Sequence, residues 1–195
     1  MSLVNGAAVF YPTEQLWEYL LVARPDEDFN QLIAEEKKNF NEVYGESSAT
    51  RNPPYITIAN FLAKEAMEVT LSRWIRNICQ LQPRFTVTFN NYSGFPPHTI
   101  YLRIQDPAPF NELANRLKII DSFARSNDCP PVHLSAKPHL ALACSLPDHI
   151  YDKAVADYAQ RSFSGAFRVD RLVLVKRSWA GGDFQLADHF MLGPA

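Results

Sequence analysis

Lys137-Pro138-His139-Leu140-Ala141-Leu142-Ala143 is the stretch on which the reading of this chain turns. An earlier stretch, Pro54-Tyr55-Ile56-Thr57-Ile58-Ala59, repeats its pattern: proline, aromatic, aliphatic, small, aliphatic, alanine. Both are short and alternate with period two, which marks a strand with one buried face. Ile56 and Ile58, then Leu140 and Leu142, form the buried faces. The opposite faces carry Tyr55 with Thr57, and His139 with Ala141. Set side by side, two such strands place Tyr55, Thr57 and His139 on the floor of a shared groove.

Working outward, residues 17–24 read as a buried strand. Asp26 caps a helix that runs to about Tyr44, with Phe29, Leu32, Ile33, Phe40 and Val43 at helical spacing. Gly45 stops it, and residues 46–53 form a polar loop. The first repeated strand covers 55–61, and a helix covers 64–81. A strand at 85–89, a loop at 90–97, a strand at 98–104 and a helix at 109–126 follow. After a loop at 127–138 come the second repeated strand, 139–144, and a helix at 149–161. Strands at 167–176 and 184–192 are joined through Gly181-Gly182. Residues 1–16 are read as an N-terminal arm. The order strand–helix–strand–helix–strand occurs twice, so the expected fold is α+β. Two pseudo-symmetric lobes, each a mainly antiparallel sheet with helices outside, surround a central cleft within one domain spanning 1–195.

Bulk properties narrow the functions. The 195 residues carry a net charge of -2, with 47% hydrophobic and 21% charged residues. That balance argues against sequence-blind nucleic-acid binding, which needs a strongly basic surface, and leaves room for a local basic groove. No apolar run approaches the roughly 18 residues a membrane span needs. The three cysteines, Cys79, Cys129 and Cys144, are too few and too scattered for a disulfide framework or a zinc site. A reducing cytoplasmic compartment is expected, with no metal and no cofactor. His133 and His139, separated across a proline, match no metal spacing.

With these residues in place, the chain resembles the two-histidine phosphoesterase superfamily, in its 2'-5' RNA ligase-like and cyclic phosphodiesterase-like group. That family carries His-x-Thr/Ser twice, in the setting Pro-His-aliphatic-Thr-aliphatic-Ala. The likeness covers nearly all of the chain after residue 16, and the order and spacing of elements carry it more than the motif letters. It implies metal-independent chemistry at a phosphodiester, with one histidine as base, the other as acid, and two hydroxyls holding phosphate oxygens. In-line displacement at phosphorus needs such groups, titrating near neutrality, on either side of the phosphate. The implied partner is a nucleotide or an RNA end, such as a 2',3'-cyclic phosphate.

The sequence keeps two of the four motif positions, Thr57 and His139. Tyr55 stands where the first histidine belongs, and Ala141 where the second hydroxyl belongs. A phenol, with an ordinary pKa of about 10, is a donor at neutral pH rather than a base. Two readings therefore stay open: His139 as base with Tyr55 as acid, or a pair that only grips a phosphate. Activity is left undecided between a weakened enzyme, a non-catalytic nucleotide-binding module and a protein–protein adaptor on the same fold. Alternation adds Thr99, Tyr101 and Arg103 to the cleft face, with Thr88 on its own strand. Arg103 suits bidentate phosphate recognition, and Tyr101 or Phe95 suits base stacking. Lys176 or Arg177 is a further cationic candidate, and His98 and His189 are the other histidines expected to approach the groove.

Overall fold

The computed structural model describes residues 15–45, 47, 49, 52–95 and 98–194. Of the expected N-terminal arm, only Gln15 and Leu16 fall among these residues, and Leu16 already belongs to a strand. Nine strands are described: β1 (Leu16–Ala23), β2 (Ile56–Lys64), β3 (Phe85–Phe95), β4 (Thr99–Ile104), β5 (His133–Leu134), β6 (His139–Ala143), β7 (Ser164–Val169), β8 (Arg171–Ser178) and β9 (Gln185–Met191). The principal helices are α1 (Glu27–Tyr44), α2 (Glu68–Gln80), α3 (Ala108–Arg116), α4 (Lys118–Ser126) and α5 (Asp148–Tyr158).

The strands form an antiparallel sheet in the order β7-β3-β4-β6-β2-β1-β8-β9, with β5 paired to β2. The two repeated strands, β2 and β6, are neighbours at its centre, paired at Ile56 and Leu140. From that seam the halves mirror each other: β6, β4, β3, β7 outward on one side, and β2, β1, β8, β9 on the other. The third strand of each repeat crosses over. β3, which follows β2 in sequence, lies in the half of β6, and β8, which follows β6, lies in the half of β2. The α+β architecture with two pseudo-symmetric lobes stands, and each lobe is built from both halves of the chain.

Local chemistry explains the ends of these elements. Asp26 Oδ1 accepts from the Phe29 amide at 2.9 Å, and Glu27 and Asp28 suit the positive end of α1. Gly45, at φ +84°, ends that helix in a conformation that favours glycine. The aliphatic face predicted for β2 and β6 is buried: Ile56, Ile58, Leu140 and Leu142 all join the main core. Helix α1 reaches across to it, stacking Phe29 on Phe89 with ring centres 5.1 Å apart.

Several boundaries differ from the sequence reading. The segment 90–97, expected as a loop, continues β3 as far as Phe95 through a bulge between Phe89 and Tyr92. Asn91 absorbs that bulge at φ +61°, and its side-chain oxygen accepts from the Phe163 amide. The helix expected over 109–126 is two helices, separated at Leu117, where ψ is −6°. The strand expected over 167–176 is likewise two. Asp170 parts them, paired with Arg168 at 2.8 Å and Arg84 at 3.7 Å. The chain thereby passes from β7, beside β3, to β8, beside β1.

A second, smaller apolar cluster covers the opposite face of the sheet. Leu20, Val22, Val173 and Val175 are buried there, with Tyr55 packed against them. Among the described residues, no helix is long and apolar enough to cross a membrane.

Candidate functional site

Tyr55, Thr57, His139 and Ala141 line one cavity of about 280 Å³, together with Lys37, Ala49, Asn52, Pro53, Thr99 and Cys144. Strand register brings the four motif positions together. Continuing the Ile56–Leu140 pairing by one residue each way sets Thr57 opposite His139 and Tyr55 opposite Ala141. On the other side of β6, Arg103 pairs with His139 and Tyr101 with Ala141. Odd-numbered residues of all three strands therefore share the cleft face.

His139 is held in a definite way. Its Nδ1 lies 2.8 Å from the carbonyl oxygen of Lys137. A carbonyl oxygen only accepts, so Nδ1 carries the proton and Nε2 of the neutral ring keeps its lone pair. Phe95 and Tyr101 meet the ring edgewise, each with centres 5.1 Å from it, and stand 5.0 Å from each other. The imidazole is thus fixed through one nitrogen and flanked by aromatic walls.

Tyr55 sits differently. It rests on Leu20, Val22, Val173 and Val175. Burial, more than any charge, pushes its phenol above the ordinary value. At neutral pH it is a hydrogen-bond donor and not a base.

The remaining candidates divide. Tyr101 packs on His139. Arg103 is beside His139 in the ladder, but its Nε donates to Asn90 O at 3.3 Å, outside the cavity. Arg177 pairs with Glu18 at 2.6 Å and lies over Phe184, lining a neighbouring depression. Lys176 is removed from the cleft: it binds Glu68 at 2.6 Å and Glu65 at 3.3 Å, and sits over Trp17. His98 also turns away, toward Asp148 at 3.2 Å and the ring of Tyr151. His189 does reach the cleft face, beside Arg24 and Arg171.

Sequence reasoning missed Lys37. It is a buried residue of α1 whose Nζ donates to Ala49 O at 2.7 Å and Asn52 O at 2.8 Å. Burial lowers its ammonium to about 8. A signal was present: Ile33, Lys37, Phe40 and Tyr44 follow one buried helical stripe, where a lysine stands out. Two of its three N–H groups are committed to the carbonyls, and the side chain borders the His139 cavity. Among the described residues, no group of three His, Cys, Asp or Glu side chains is arranged to hold a metal ion.

Comparison with known proteins follows the same outline. A family model described as the 2'-5' RNA ligase superfamily matches residues 19–180. No curated protein matches the sequence. Among solved structures, TT0787 of Thermus thermophilus is 16% identical, with a TM-score of 0.66 over 91% of this chain and 98% of its own. E. coli LigT complexed with ATP is 19% identical, with a TM-score of 0.64 over 91% and 99%. E. coli LigT complexed with 3'-AMP is 18% identical, with a TM-score of 0.63 over 91% and 98%. At these identities the structural likeness is one of fold.

Proposed function

The chain belongs to the 2'-5' RNA ligase superfamily, and from that premise we propose that its cleft binds a nucleotide or RNA end through a phosphodiester, without a metal. His139 is the proton-transfer group of this reading, and Thr57 and Tyr55 donate hydrogen bonds to phosphate oxygens. Turnover of a 2',3'-cyclic phosphate is slow, because no second imidazole stands opposite the first. One positioned acid or base is worth roughly 10²–10⁴-fold.

The observation that carries this reading is the oriented His139. Its Nδ1 is committed to Lys137 O, and the ring shares a cavity with Thr57. LigT, which has the same fold, has been crystallised with 3'-AMP and with phosphate, ligands of the chemistry proposed here. The Tyr55 phenol, kept neutral by burial, supports a donor role and speaks against a second base. The buried thiols of Cys79 and Cys129 fit a reducing cytoplasmic setting.

Calorimetric titration with a 2',3'-cyclic nucleotide tests the proposal. The native protein should bind saturably, and His139→Ala and Thr57→Val should each bind about tenfold more weakly, the equivalent of ~1.4 kcal/mol. Equal affinity in all three proteins would place the ligand elsewhere and overturn the reading.

A further inference from the structure

The cleft does not end at Tyr55. A second depression of about 310 Å³, lined by Leu20, Val22, Arg24, Tyr55, Val175 and Phe184 among others, shares Asn52, Pro53 and Tyr55 with the His139 cavity. A third, also of about 310 Å³, shares Arg24 with the second and is lined by Arg24, Pro25, Arg171, Val173, Leu186 and His189. The three depressions adjoin one another through these shared residues, and the middle one is also lined by Arg177 and Asp183.

Register places them in a line. Thr57 pairs with Val22, Val22 with Val173, and Val173 with His189. Added to Arg103–His139 and Thr57 opposite His139, these make a single row from Arg103 to His189 on one face. The middle of the row is aliphatic, and its far end is cationic. Arg24 directly follows β1 and Arg171 opens β8, and with His189 of β9 they line the third depression. Among the described residues, no carboxylate lines that third depression.

Six other arginines are paired, whereas Arg73, Arg103 and Arg161, like Arg24 and Arg171, show no ion pair among the described residues. Of the unpaired ones, only Arg24 and Arg171 line one depression together. Arg76, Arg84, Arg116, Arg125, Arg168 and Arg177 each hold an Asp or Glu. Among the described residues, Arg24 and Arg171 have no ion pair and no side-chain hydrogen bond. Like charges gathered in one depression repel, and the chain as a whole is slightly acidic. An anion between the two guanidiniums relieves that repulsion and suits their forked donors.

We propose that Arg24, Arg171 and His189 form a second phosphate subsite, and that the groove takes a single-stranded oligonucleotide whose terminal phosphodiester lies at His139. This rests on the reading of the His139 cavity given above. The aliphatic stretch around Val22 and Val173 accommodates sugar and base, and the arginines hold an internal phosphate. From β6 to β8 is three strand spacings, roughly 15 Å along the sheet. A single nucleotide does not span that distance, whereas about four or five do at the ~3.4 Å stacked spacing, fewer when extended.

The test compares uridine 2',3'-cyclic phosphate with a five-nucleotide oligouridylate bearing the same cyclic end. Affinities are measured for the native protein, for Arg24→Gln/Arg171→Gln and for His139→Ala, with thermal melts to confirm folding. The pentanucleotide should bind the native protein at least about tenfold more tightly than the mononucleotide. The double arginine variant should lose that advantage while binding the mononucleotide as the native protein does. Its slope of log affinity against log salt should fall by about 0.7 for each phosphate that the arginines no longer neutralise. A pentanucleotide that binds no more tightly than the mononucleotide, or binds native and arginine variant alike, overturns the subsite. If the native protein binds the pentanucleotide in an arginine-dependent way but His139→Ala changes nothing, the subsite stands and the His139 reading falls.

Discussion

His139 and Tyr55 occupy equivalent places on the two central strands, yet their neighbourhoods have little in common. His139 has a carbonyl oxygen to fix one ring nitrogen and two aromatic edges to wall it in. Tyr55 has four aliphatic side chains beneath it. The first setting fixes the orientation of an imidazole. The second, by burial, pushes the phenol above its ordinary value and so favours its neutral form. On the proposed reading, one half supplies the proton-transfer group and the other a hydrogen-bond donor. The two departures from the motif, Tyr55 and Ala141, are opposite each other in register, so both losses fall at one spot in the groove.

The contrast is most exposed to single changes at its two aromatic positions. His139→Ala should lower cyclic-phosphate turnover by roughly 10² or more, into the background, if the imidazole is the acid or base of the site. Tyr55→Phe, measured in the same assay and by titration, should weaken binding by only about fivefold, the worth of one neutral hydrogen bond of ~1 kcal/mol. A large loss of rate with Tyr55→Phe, at unchanged affinity, would make the phenol an acid after all and erase the distinction between the halves.

A smaller effect concerns Lys37, which borders the cavity from α1. Its ammonium is pushed from 10.5 down to about 8. Between pH 8 and 10.5 the unfolded chain therefore holds a proton that the folded chain has released, and this residue's contribution to stability rises with pH across that window. Relative to Lys37→Met, the native melting temperature should gain between about pH 8 and about pH 10. A difference that stays flat would mean that the two carbonyls keep the lysine charged throughout.

Much of this was legible in the sequence, for identifiable reasons. Alternation in β2 and β6 separates Ile56, Ile58, Leu140 and Leu142 from the cleft residues, because a period of two admits only two faces. Asp26 and Gly45 mark the ends of α1 by chemistry that is local. The partition of strands between halves was hidden, since nothing within β3 or β8 encodes which repeat it pairs with. The bulge at Asn91 and the break at Asp170 depend on distant partners, the Phe163 amide and Arg84. Arg24 reads in sequence as the last residue of a strand; β1 ends one residue earlier, and only the fold sets Arg24 in one depression with Arg171. Lys176 and Arg177 were indistinguishable as neighbours, and the pleat sends them to opposite faces.

If the groove lacks only the side chains replaced by Tyr55 and Ala141, restoring both should restore turnover. The direct measurement is hydrolysis of a 2',3'-cyclic nucleotide by the native protein, by Tyr55→His/Ala141→Thr, and by that double variant carrying His139→Ala, each confirmed as folded by its melt. An imidazole at position 55 and a hydroxyl at 141 restore both missing groups without touching the buried face of either strand. The double variant should turn over roughly 10²-fold faster than the native protein, and His139→Ala should abolish the gain. A folded double variant no faster than the native protein would contradict the claim.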